Sequence, residues 1–314
     1  MRHIRGNAGE ATATIARLDT APSTRVLAAV AVTVTAWASA FVTVRGVRDS
    51  FDPGALALGR LLIGSVALGG LMLARRAWVR PDRLEWALIG ICGVAWFAIY
   101  NVALNAAEQR IDAGTAAMLI NVGPILIALL AGLILGEGFP RWLLIGAGVA
   151  FAGALVIGAA TAHTTGSELA GVALCLVAAL VWAIGVLAQK PALRRIPALQ
   201  VTQMACTVGA LACLPFAGRL TDEAPHATAG DIAGLIYLGL VPTAVAFCTW
   251  AYALSRVSAG SLGVTTYLVP PITIAVAWPT LGEAPRPLAF VGGALALIGV
   301  SLARRRAGAP AVKD

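Results

Sequence analysis

The sequence predicts an all-α integral membrane protein: ten transmembrane helices in two five-helix repeats of inverted topology, with both termini cytoplasmic. Three observations predict it. Of 314 residues, 59% are hydrophobic and 12% charged, against about 45–50% and about 25% in soluble domains; mean hydropathy is +0.84. The apolar residues gather into ten runs, each near the ~20 residues that cross a bilayer. The second half of the chain also resembles the first at a fixed offset. So much apolar surface cannot be hidden in a soluble core, which excludes a cytosolic enzyme, a disulfide scaffold and a disordered chain.

Residues 1–25 are polar and rich in Ala, Thr and Arg, and read as a mobile cytoplasmic tail. The runs follow at 26–44, 54–74, 84–106, 113–135 and 141–160, then at 168–189, 198–217, 230–253, 258–281 and 287–303. Residues 304–314 form a basic cytoplasmic tail. Ala38-Ser39-Ala40 looks like a signal-peptide cleavage site, but the run stays apolar beyond it and the repeat needs this helix. With the N-terminus inside, the cytoplasmic segments carry 17 Lys and Arg and the outer loops 5. The positive-inside rule therefore supports ten spans in this orientation. The net charge of +8 serves orientation, and nucleic acid is not expected as a partner.

The internal match runs without a gap at an offset of 146. Arg110, Pro124, Leu135-Gly136-Glu137 and Gly153 align with Arg256, Pro270, Leu281-Gly282-Glu283 and Gly299. Trp37-Ala38 aligns with Trp182-Ala183 at 145, and Pro53 with Pro197 at 144, which sets Met204 opposite Arg60. The domains are thus a first repeat at 26–160 and a second at 168–303. Five spans is an odd number, so the second repeat enters the membrane from the opposite side, a construction shared by many secondary transporters.

Ten spans in two halves, each with a Pro-containing helix ending in Leu-Gly-Glu, resemble the drug/metabolite transporter superfamily, EamA-type. Pro53-Gly54 followed by Gly59-Arg60-Leu61-Leu62-Ile63 is similar to the second helix of that family's first half. The resemblance implies a cavity lined by the first, third, fourth, sixth, eighth and ninth helices. It also implies export of amino acids, metabolites or drugs.

Arg60 is the cation well inside a run. Placing Arg near a helix centre costs about 2.5–3.5 kcal/mol, so it is either an anchor for a substrate carboxylate or an interfacial residue that snorkels outward. Trp37 and Trp182 sit mid-run at matching places, where an interfacial belt does not explain them. Asn101 and Asn105 share a face. Asn121 precedes Pro124; Thr265, Thr266 and Tyr267 precede Pro270; Gln189, Gln203, Trp250 and Tyr252 add further polar groups. In lipid these would be unsatisfied, so as a set they point to a polar-lined cavity. The expected substrate-binding residues are Trp37, Arg60, Asn101, Asn121, Trp182, Tyr252 and Tyr267. Pro124, Pro270 and Pro271 are expected hinges, because each removes a backbone hydrogen bond. Glu137 and Glu283 are expected to be structural, bonding backbone N–H groups at the start of the next helix.

No Asp or Glu lies in the middle of a run, which argues against a proton-driven exporter of cations. A single intramembrane cation disfavours phosphorylated solutes, leaving neutral or zwitterionic metabolites. The five cysteines read as small apolar filler. No cluster of metal ligands and no phosphate-binding loop occurs, so neither metal nor cofactor is expected and energy must come from a gradient, exchange or downhill flow. The expected partners are the bilayer, a small solute and a coupling ion or counter-substrate. The alternatives, a membrane enzyme or a non-transporting receptor or structural protein, lack a nucleophile–base set or a use for the inverted repeat.

Overall fold

The computed structural model of the chain describes residues 23–303 apart from 77, 136–140, 162–165, 258 and 284. Among the described residues every regular element is a helix. α1 (Thr24–Val47), α2 (Pro53–Arg75) and α3 (Arg83–Glu108) are long enough and apolar enough to cross a membrane, as are α7 (Gly166–Ala192) and α10 (Ala229–Leu254). A sixth crossing arises if α8 (Ala198–Ala212) and the helical stretch Leu214–Glu223, which contains α9 (Ala217–Glu223), are one span bent by 51°. The remaining helices are shorter. α4 (Ala113–Ile120) and α5 (Gly123–Leu135) divide the fourth run, and α6 (Arg141–Thr161) follows. α11 (Ala259–Thr265) and α12 (Val269–Leu281) divide the ninth run, and α13 (Pro287–Ala303) fills the tenth.

Local chemistry sets the helix starts. Asp52 accepts from the Gly54 N–H (2.9 Å) with Pro53 in the first turn. Asp82 and Glu85 form a reciprocal capping box at α3, and Thr228 and Asp231 another at α10; each satisfies backbone donors that a helix start leaves open. At the other end of α12, Gly282 takes the left-handed conformation (φ 67°), which accounts for the glycine of Leu281-Gly282-Glu283.

Several packing features recur along the chain at a nearly constant offset. Both long helices with a π-helical stretch carry it at the same place, Gly93–Ile99 in α3 and Gly239–Val245 in α10. The offset is 146 residues. A Cβ on Gly93 would lie 2.7 Å from the Ala205 carbonyl oxygen; one on Gly239 would lie 2.9 Å from that of Arg60. The two contacts are equivalent, the glycines at an offset of 146 and their partners at 145. They place Ala205, rather than Met204, as the counterpart of Arg60.

α6 and α13 meet backbone to backbone. A Cβ on Gly153 would lie 2.5 Å from the Gly292 carbonyl oxygen, and one on Gly299 would lie 2.5 Å from that of Gly146. The partner number falls as the first rises, so these helices run antiparallel. Small residues permit this approach. Gly153→Val should overpack the contact by about 1–3 kcal/mol and lower the melting temperature of the purified protein. Gly148→Val, whose Cβ meets nothing within 4 Å, should leave it unchanged.

Candidate functional site

The two broken helices meet at their breaks. Asn121 ends α4, and Thr266 lies in the 3₁₀ turn Thr266–Leu268 between α11 and α12. Thr266 Oγ1 donates to Asn121 Oδ1 across the repeats (3.2 Å). Pro124 and Pro270-Pro271 stand in the first turns of α5 and α12, where their missing N–H groups do least harm. Gly123 lets Trp182 approach the break closely, since a Cβ there would come within 2.3 Å of the indole.

Beside these breaks is a cavity of about 40 Å³, room for a few waters at most. Its walls are largely aromatic: Trp37, Trp96, Tyr100, Trp182 and Phe247. Trp37 and Trp250 stack at 4.9 Å between centroids, Trp96 and Phe247 at 4.9 Å, and Trp96 and Trp182 at 6.5 Å. Polar groups enter at four places. Arg60, 3% exposed, lines the cavity, and its Nε donates to Thr243 Oγ1 (3.1 Å). Asn101 Nδ2 donates to the Phe97 carbonyl (2.6 Å), and its Oδ1 has no partner. Asn121 and Thr266 complete the set.

Of the seven residues expected to bind substrate, Trp37, Arg60, Asn101, Asn121 and Trp182 line this one cavity. Arg60 faces inward and does not snorkel. The other two lie elsewhere. Tyr252 lies beneath the Arg256 guanidinium (3.5 Å to the ring centroid) in a second, wider cavity of about 580 Å³ that also reaches Arg75 and Arg195. It is five residues beyond Phe247, about 7.5 Å further along α10. Tyr267 packs against Ile125, Ala147 and Ala150. The 3₁₀ turn advances three residues per turn instead of 3.6, which brings Thr266 to the cavity and turns Tyr267 away.

Sequence reasoning missed Trp96 and Phe247. Trp96 lies four and five residues before Tyr100 and Asn101, so the helical step back from the polar pair would have found it.

The ends of the bundle are tied by charges. Arg45, in the last turn of α1, donates through Nε to both oxygens of Glu283 (2.8 and 3.0 Å), and Arg48 reaches Glu283 at 3.3 Å. Glu283 therefore binds Arg45 and Arg48 and also accepts from the Ala113 backbone N–H at the start of α4, a helix start but not that of the next helix. Burial holds its carboxyl above the ordinary value, with Arg48 opposing. Glu137 lies outside the described residues. Arg45 also bonds the Glu108 carbonyl, and Lys190 bonds those of Leu254 and Val257. These clamps are equivalent, Arg45 to Lys190 at an offset of 145 and Glu108 to Leu254 at 146. At the Lys190 end, Arg195 pairs with Glu85, which raises the Arg195 pKa, and Gln200 bonds the Val79 backbone N–H and carbonyl (2.9 and 2.6 Å). Glu108 itself, two residues beyond the third run, is fully buried, and neither carboxyl oxygen has a hydrogen-bond partner.

A model of the EamA-like transporter family matches residues 24–159 and again 169–305. Among curated relatives, the "Probable terminal-alkyne amino-acid exporter" of Streptantibioticus cattleyicolor is 38% identical over 88% of this chain and 93% of its own length. The "Uncharacterized transporter YdfC" of Bacillus subtilis is 32% identical over 84% and 86%. The "Probable amino-acid metabolite efflux pump" of Salmonella typhimurium is 25% identical over 85% and 90%. A solved crystal structure, 21% identical, superposes with a TM-score of 0.63 over 88% of this chain and 96% of its own, a likeness of fold.

Proposed function

The chain belongs to the EamA-like transporter family and is a multi-pass membrane protein; from that premise we propose that it exports a small amino-acid-like zwitterion by alternating access between two inverted five-helix repeats. The observation that carries the reading is Arg60. It is a cation inside an otherwise aromatic and amide-lined cavity, where a guanidinium fork matches a carboxylate. The unpartnered Asn101 Oδ1 is an acceptor for the ammonium of the same solute. The aromatic walls then contact its side chain. The relative named as an amino-acid exporter at 38% identity supports the same class.

Ten crossings and the inverted arrangement are supported by the packing directions. α6 runs antiparallel to α13, and the π segments and end clamps recur at 145–146 residues. A cavity of about 40 Å³ is far below the ~300–1,000 Å³ of a ligand pocket. With both ends clamped, this is a closed conformation, and substrate enters only after one end opens.

Reconstituted into liposomes, the protein should exchange a labelled amino acid across the membrane at a rate well above protein-free vesicles, over a panel of polar, aromatic and unsaturated side chains. Exchange of amides or amines lacking the carboxylate, with none of the acids, would overturn the reading. No exchange of any amino acid would favour a non-transporting role.

A further inference from the structure

We propose that Glu108 is a proton-binding site: its carboxyl takes up one proton from the outer solution as the Arg45 end of the bundle closes, and releases it when that end opens to water. The inference rests on the alternating-access reading and adds a ligand to it.

Three observations carry it. First, the Glu108 side chain is 0% exposed, and both oxygens lack a hydrogen-bond partner. An ionised carboxylate in that state forfeits its hydration without replacement, and the cost far exceeds that of the neutral acid. Second, the repeat has no need of it. The equivalent residue in the second half is Leu254, which accepts the equivalent clamp through its carbonyl. Glu108 and Arg60 both depart from the symmetry, being matched by Leu254 and Ala205, and each feels the other's charge. Third, Glu108 sits one turn beyond the cavity residue Leu104 on the same helix, directly under the Arg45 clamp. Opening that clamp is the motion that would wet it.

The surroundings define the sign. Arg45 of α1 bonds the Glu108 carbonyl, and Arg60 of α2 attracts its carboxylate. Asp112 at the start of α4 and Glu283 after α12 repel it, and Tyr100 of α3 and Cys175 of α7 are the other titratable neighbours. Burial with neither oxygen hydrogen-bonded costs the carboxylate its hydration, so closure with the proton bound is favoured. The closed form holds one proton more than the open form. By linkage, each unit of acidification between the two proton affinities shifts the ratio about tenfold toward closure. Burial also holds the Glu283 carboxyl above its ordinary value, so it acts with the same sign, and its substitution is the control that separates the two groups.

The test uses the full-length protein in lipid nanodiscs without substrate. Fluorescence of the tryptophans around the cavity is followed as pH falls. The wild type should show a transition to the closed signal. Glu108→Gln, which mimics the neutral acid, should hold that signal at every pH, and Glu283→Gln should retain the transition. A wild-type profile in Glu108→Gln would overturn the proposal. If that variant does not fold, infrared difference spectra of the wild type between acid and alkaline pH decide: the carbonyl stretch of a protonated carboxylic acid in a dry site should appear on closure, and its absence would overturn it. Neither readout needs a substrate, so failure of the amino-acid reading leaves the test intact.

Discussion

Arg60→Ala should weaken binding of an amino-acid substrate about 30- to 4,000-fold, while the protein still folds and inserts. Removing one partner of a buried, hydrogen-bonded charge pair costs about 2–5 kcal/mol, and each 1.4 kcal/mol is tenfold. The direction follows from what would remain. The substrate carboxylate would enter a cavity whose other polar groups include the amides of Asn101 and Asn121 and the hydroxyls of Tyr100 and Thr266, none of them a cation. Arg60→Lys should recover part of the loss, since an ammonium supplies the charge but not the planar fork. Folding should survive because Arg60 donates to a single side chain, Thr243, which also bonds the Leu238 carbonyl at 2.8 Å and so keeps a partner. Equilibrium binding to purified protein, with and without carboxylate-lacking analogues, checks this. A variant that binds acids as tightly as the wild type would make Arg60 a structural residue.

The residues of the cavity were legible in the sequence to the extent that burial alone makes them costly. Arg60, Asn101 and Asn121 are expensive in lipid, and Trp37 and Trp182 lie too deep for an interfacial belt. Each of those arguments concerns depth, and depth is read well from hydropathy. The failures concern rotation. Tyr267 was mis-set because a 3₁₀ turn interrupts the α-helical phase just before it. The π-helical stretches of α3 and α10 add to the same difficulty, since no residue pattern distinguishes them from regular helix. Glu108 was invisible for another reason. Hydropathy ends the run two residues before it, whereas its burial comes from α1, α2 and α7 closing around the end of α3. The repeat was legible from Pro and Leu-Gly-Glu, but the register of the second helix was one residue off. Only the matched contacts of Gly93 with Ala205 and of Gly239 with Arg60 set it.

That register leads to the second large effect, which concerns the clamps. Arg45→Met and Lys190→Met should shift the resting conformation in opposite directions. Arg45 ties α1 to the end of α3 and to Glu283; Lys190 ties α7 to the loop after α10. Hydrogen bonds to charged groups contribute about 1.5–3 kcal/mol each, so the net loss of even one bond per clamp alters the ratio of open to closed at its own end by about 10- to 150-fold. Because the two clamps are equivalent under the repeat, the same substitution acts on opposite ends. A membrane-impermeant thiol reagent separates the cases. With the native cysteines replaced, a reporter cysteine at Leu104 should become reactive from the Arg45 side only in Arg45→Met. One at Phe247 should become reactive from the Lys190 side only in Lys190→Met. Reaction from the same side in both variants would mean that the two halves do not alternate. Unchanged reactivity in both would mean that the clamps only brace helix ends, as cations near helix C-termini commonly do. The doubly substituted protein distinguishes latches from braces. If the clamps are latches on one equilibrium, their opposed shifts should largely cancel, and the closed form, having lost both, should be less populated than in the wild type.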